Sequence, residues 1–238
     1  MAAKTVSYKD QSYTLAYTLR NSDCADCVVF LHGWGSCKEL MERSFGAHFP
    51  NHRLLFVDLP GFGGSNNETV LCTRDYAEIL RLFLAEFALG ERSIIIGHSF
   101  GGKIASLLAP RNLVLLASAG IVLPKPLPVL LKIALAKCLR FLGLGAFRLR
   151  ARDAEGLSEP MYATFKNVVN EDFRPIFAAL SSKTLLLWGK DDTATPLHSA
   201  HEIAALVRDS KLVVFEGDHY FFLKQAHNVA NSIVQYFK

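Results

Sequence analysis

At 238 residues, half of them apolar, the chain can form one large domain, or one domain carrying an insertion, with ample material for a core. Its net charge of +4 is too mild to indicate a nucleic-acid binder. The most apolar segment, 122–147, is broken by Lys125, Lys132, Lys137 and Arg140, so it does not fit a membrane span, which needs roughly 20 mostly apolar residues. No apolar stretch at the N-terminus is long enough for a signal peptide, and the five cysteines are an odd number. Both features imply a cytoplasmic protein with reduced thiols and no stable membrane association. Cys24 and Cys27 have C-x-x-C spacing but no second pair, and His198 and His201 lack a third ligand. No metal or other cofactor is expected.

In chain order, 13–19 alternates in polarity and reads as the start of an antiparallel edge. Short, branched apolar runs closed by Gly, Pro or Asp follow at 28–31, 54–57, 94–96, 113–116, 185–187 and 212–215. Runs of this type suit strands buried on both faces. Between them Tyr76, Ile79, Leu80, Phe83, Leu84 and Phe87 recur at helical spacing, and 104–109, 201–207 and 229–237 also read as helices. Strands alternating with helices predict an α/β fold with a mostly parallel sheet and helices on both faces. The alternation fails over 122–180, which opens with Pro124, Pro126 and Pro128 and then carries helical pattern without a strand. This divides the chain into a core, 1–121 and 181–238, and an inserted helical lid, 122–180.

Gly97-His98-Ser99-Phe100-Gly101 follows one expected strand and opens a helix. That is the context of a G-x-S-x-G turn, which lifts a serine hydroxyl out of the sheet while small neighbours let the backbone crowd together. Ser99 is therefore the candidate nucleophile. A serine hydroxyl needs a base, and His219, after the last expected strand, is the best placed of eight histidines; His32 and His98 sit inside turns and read as structural. The base needs a carboxylate. Asp191 and Asp192 both follow the penultimate strand and either fits by position. An oxyanion needs two prepositioned donors. The backbone N–H of Phe100 is one, and the N–H of Trp34, in the turn His32-Gly33-Trp34-Gly35, is the other.

These blocks, with Asp58-Leu59-Pro60-Gly61-Phe62-Gly63-Gly64-Ser65, the 189–192 turn and Gly217-Asp218-His219, make the sequence resemble the α/β-hydrolase family, in particular its small lidded esterases and C–C hydrolases. The resemblance spans nearly the whole chain and implies the α/β-hydrolase fold. It selects Asp192 over Asp191 by the spacing from Gly189, makes Asp58 a structural turn residue, and implies a serine hydrolase acting on a small acyl ester. Within the family the chain resembles the pimeloyl-acyl-carrier-protein methyl ester esterases of biotin synthesis. C–C hydrolases of aromatic ring-fission products are the alternative, although His98 and Tyr220 depart from the Asn and Trp usual there. A non-enzymatic binding protein on the same fold is a third reading, against which all three candidate catalytic residues are retained.

Charge distribution suggests a partner. Residues 125–152 hold seven Lys or Arg and no Asp or Glu up to Arg152, and the excess of four positive charges over 122–180 equals that of the whole chain. If 129–142 is helical, Lys132, Arg140 and Lys137 fall at about 0°, 80° and 140° around it. Such a stripe would suit an acidic acyl carrier protein, or would simply be a solvated face.

Overall fold

All six apolar runs form strands, and these six run parallel to one another. The computed structural model describes residues 2–123 and 156–238. Its strands are β1 (Ala2–Tyr8), β2 (Gln11–Arg20), β3 (Cys27–Leu31), β4 (Arg53–Val57), β5 (Ile94–His98), β6 (Asn112–Leu116), β7 (Lys183–Gly189) and β8 (Ser210–Phe215). They make one eight-stranded sheet in the order β1-β2-β4-β3-β5-β6-β7-β8. Every residue of β3 and β5 is buried, whereas β8, at the sheet edge, keeps part of each face in solvent.

Residues 13–19 form an antiparallel strand, β2, that pairs with both β1 and β4, and the antiparallel edge is completed by β1, which the sequence did not show. Its connection to β2 is a two-residue turn with φ of 49° at Lys9 and 59° at Asp10. A turn of this left-handed kind normally advertises itself by Asn-Gly or Asp-Gly, and Lys-Asp carries no such signal.

Helices cover the sheet: α1 (Lys38–Phe45), α2 (Thr73–Leu84), α3 (Phe100–Leu108), α4 (Glu159–Val169), α5 (Arg174–Ala178), α6 (Leu197–Leu206) and α7 (Phe222–Tyr236). Helices α1 and α7 pack together, with Phe45 stacked on Phe30 of β3 at 5.4 Å and on Phe222 of α7 at 5.7 Å. Helices α2 and α3 pack together against the opposite side of the structure, where Tyr76 meets the edge of Phe100. Of residues 122–180, the described part holds α4 and α5. Ser158 caps α4 by accepting a hydrogen bond from Met161 N, and Pro160 sits in its first turn. Lys132, Lys137 and Arg140 lie outside the described residues.

The sheet reverses its winding at β3, with β4 on one side and β5 on the other. In open α/β sheets the crevice at the carboxyl ends of strands flanking such a switch is where ligands bind. Glycines let α3 start close to that point. A Cβ on Gly97 would lie 2.3 Å from Gly101 O, and one on Gly101 would lie 2.4 Å from Leu31 O. Gly97→Ala should therefore lower stability by about 2 kcal/mol or more, measured as a shift of the urea midpoint at unchanged m-value.

Candidate active site

Ser99 occupies the single residue between β5 and α3 with φ 50° and ψ −112°, a region that a residue with a Cβ enters only when its surroundings force it. Three backbone hydrogen bonds do so. Ser99 N donates to Leu116 O at 3.1 Å, and Ser99 O accepts from Gly102 N and Ala119 N, both at 3.0 Å. The turn is thus sewn to the end of β6 and to the first turn of α3.

The candidate acid and base lie in the loops that follow β7 and β8. Gly189, ending β7, has no Cβ, and one placed there would lie 2.2 Å from Asp218 O. The loops after β7 and β8 therefore close on each other. In consequence His219 Nδ1 lies 2.8 Å from Asp192 Oδ2. Asp192 is only 4% exposed. Its Oδ1 accepts from Ala194 N at 2.9 Å and Thr195 N at 2.8 Å, and its Oδ2 also accepts from Thr195 Oγ1 at 2.8 Å. Burial alone would raise the Asp192 pKa, but the hydrogen bonds from His219 and Thr195 outweigh it and hold the carboxyl below its usual range. With Nδ1 engaged by the carboxylate, Nε2 is the His219 ring nitrogen left without a hydrogen-bond partner among the described residues. Asp191 is exposed, and its backbone N–H donates to Gly217 O.

Ser99, His219 and Thr195 line one cavity of about 460 Å3. Gly33, Trp34 and Phe100 line it too, so both residues expected to supply oxyanion donors border the same space as the serine. Phe100 is the first residue of α3, where backbone N–H groups lack intrahelical acceptors and the helix dipole favours negative charge. The Trp34 ring stands 5.4 Å from that of Phe165 on α4, and Ile121, Val122, Leu123 and Val168 extend the apolar wall.

A model of the alpha/beta hydrolase family matches residues 28–232. The chain belongs to that family. Over 87 residues, 36% of the chain, this hydrolase-family member is 38% identical to 2-succinyl-6-hydroxy-2,4-cyclohexadiene-1-carboxylate synthase from Escherichia coli O8 (strain IAI1), a stretch covering 33% of that protein's length. Its fold is similar to an esterase from Exiguobacterium antarcticum, with a TM-score of 0.77, 20% identity and 99% of each chain covered. It is also similar to a meta-cleavage product hydrolase from Pseudomonas fluorescens IP01, with a TM-score of 0.72, 18% identity, and 98% of this chain and 97% of that one covered.

Other polar residues of this α/β-hydrolase have different roles. Asp58, fully buried, accepts from Lys38 N at 2.7 Å, Lys38 Nζ at 3.0 Å and Gly64 N at 2.9 Å, so it organises the turn after β4. His32 ties that turn to the end of β3: its Nε2 accepts from Leu59 N at 3.0 Å, which leaves Nδ1–H to donate to Gly33 O at 2.8 Å. Burial pushes the His32 pKa down, as this neutral form requires.

Three contributors to the site are not evident in the sequence. His98 is more than a turn residue. Its Nε2 lies 3.2 Å from His219 O, its ring centroid is 4.7 Å from that of His219, and burial pushes its pKa down to about 3, so it stays neutral behind the base. Lys103, one helical turn after Ser99, donates to Val168 O at 2.6 Å and Glu171 Oε2 at 3.0 Å, fastening the end of α4 over the cavity. Thr195 braces Asp192. His98 and Lys103 act through partners far away in the chain, so no local motif marks them, whereas Thr195 meets Asp192 within its own turn and His219 only across the fold.

Asp192→Asn should lower kcat by roughly ten-thousandfold through loss of the correct imidazole tautomer, while Asp191→Asn should leave it within a few-fold. The folded Asp192 carboxyl titrates below its unfolded value, so its stabilising contribution is complete above about pH 4 and is lost as pH falls through the folded value. The stability gap between wild type and Asp192→Asn should therefore shrink in thermal melts taken below about pH 4.

Proposed function

We propose that this chain is a serine hydrolase that cleaves a carboxylic ester through an acyl-enzyme, with Ser99 as nucleophile, His219 as general base and Asp192 as its orienting acid. The observation that carries this reading is the lining of one cavity by a conformationally strained Ser99 and by a His219 whose Nδ1 is bound to a buried carboxylate. Ser99 Oγ attacks the ester carbonyl and its proton passes to His219 Nε2. The oxyanion is taken by the N–H groups of Phe100 and Trp34. Collapse expels the alcohol, which receives the proton from His219, and water then repeats the sequence on the acyl-serine to release the acid.

The 122–180 insertion acts as a lid in this reading, with Phe165, Val168 and Val169 of α4 forming the side of the cavity that faces an acyl chain. The substrate we favour is the methyl ester of a pimeloyl chain on an acyl carrier protein. It rests on the resemblance of the motifs to that group of esterases and on the basic run that includes Lys132, Lys137 and Arg140. The apolar wall suits an acyl chain of several carbons.

Ser99→Ala should reduce kcat by about a millionfold if the three residues act as a unit, without loss of the folded state by circular dichroism. A fluorophosphonate should label wild type once, on Ser99. A panel of p-nitrophenyl acetate, a carrier-protein-linked pimeloyl methyl ester and a vinylogous diketone then reads out the substrate class. The account expects ester cleavage with preference for the carrier-linked ester; faster turnover of the diketone would assign C–C hydrolysis instead, and labelling at another residue would remove Ser99 from the reaction.

A further inference from the structure

The Thr195 side chain lies among three partners. Its Oγ1 is 2.8 Å from Asp192 Oδ2, 3.2 Å from Ala117 O and 3.3 Å from His219 Nδ1. A hydroxyl has one proton to give. Of the two acceptors, the carboxylate is nearer and charged, and such hydrogen bonds are roughly twice as strong as neutral ones. The proton therefore goes to Asp192 Oδ2, the same oxygen that receives His219 Nδ1–H. The residue is itself fixed at both ends of its peptide: Thr195 N donates to Asp192 Oδ1, and Thr195 O accepts from Trp188 Nε1 at 2.7 Å. Because Trp188 is fully buried in β7, the hydroxyl is aimed by the core.

We propose that Thr195 is a positioning residue for the Asp192–His219 pair, its hydroxyl holding the carboxylate in place and drawing electron density from the oxygen that binds the imidazole. This rests on the reading of His219 as the base. The consequence is a moderated base. A carboxylate that shares Oδ2 with a hydroxyl attracts the imidazolium less strongly than one that does not, so His219 releases its proton to the leaving alcohol more readily. The other groups facing His219 are His98, which is neutral, Tyr220 at 5.3 Å between ring centroids, and the Lys103–Glu171 pair on the same cavity. None of them touches Asp192 Oδ2.

The test is the titration of His219 followed by NMR of ring-labelled histidine, assigned with His219→Gln, in wild type, Thr195→Val and Thr195→Ser. Valine keeps the shape and removes the hydroxyl; serine restores it. The His219 midpoint should move up by a few tenths to about one pH unit in Thr195→Val and return towards wild type in Thr195→Ser, with the acid limb of kcat/KM for a p-nitrophenyl ester moving in the same direction and kcat falling several-fold. An unmoved or lowered midpoint in Thr195→Val, or an equal shift in both variants, would overturn the proposal. Thr195→Ala supplies the same comparison should the valine variant not fold. The titration needs no turnover, so a protein inactive on every ester would contradict the proposed reaction while leaving this result to stand or fall separately.

Discussion

The backbone of Ser99 is the constraint around which the rest is arranged. A residue with a side chain held at φ 50°, ψ −112° is strained by about 1–3 kcal/mol, and the fold offsets this locally rather than relaxing it. Leu116 O, Gly102 N and Ala119 N hold the Ser99 peptide on both sides. Neighbouring backbone comes so close that Gly97 and Gly101 admit no Cβ. The same crowding that creates the strain places the hydroxyl above the carboxyl ends of the strands, beside the first N–H groups of α3. Sheet topology, glycine placement and the position of Ser99 are thus one geometric solution.

Two buried aspartates show how environment separates roles that residue type does not. Asp58 is neutralised by Lys38 within a buried pair and bonded to backbone N–H groups of its own turn; removing one member would leave an uncompensated charge, so the pair specifies structure. Asp192 has no lysine or arginine partner among the described residues. It is held by two N–H groups and one hydroxyl, and the remaining strong donor is an imidazole that opens on the cavity. A carboxylate satisfied by neutral donors retains the field needed to stabilise a transient imidazolium.

The strands of the parallel sheet were legible because burial on both faces leaves short unbroken apolar runs. Ser99, Asp192 and His219 each follow such a run, which is what singles them out as candidates, although choosing between Asp191 and Asp192 needed family spacing. Helix α1 was not. Its buried side includes Lys38 and Ser44 beside Met41 and Phe45, so no apolar period exists to be read. Strand β1 was hidden by small polar residues and a Lys-Asp turn. The supports of the site were hidden for a different reason: His98 meets His219 from 121 residues away, and Thr195, which meets Asp192 within its own turn, reaches His219 only when the loop after β8 folds back onto it. Tertiary contact, not local pattern, assigns these residues.

In the proposed reaction, the oxygen of a carbonyl attacked by Ser99 lies between the N–H groups of Trp34 and Phe100. A crystal structure of the protein inactivated with an alkyl fluorophosphonate, whose tetrahedral phosphorus imitates the acylation intermediate, tests it most directly. Phosphorus should be bonded to Ser99 Oγ, with its phosphoryl oxygen within roughly 2.7–3.1 Å of both nitrogens. A bond to any other residue, or a phosphoryl oxygen turned away from these two donors, would contradict it.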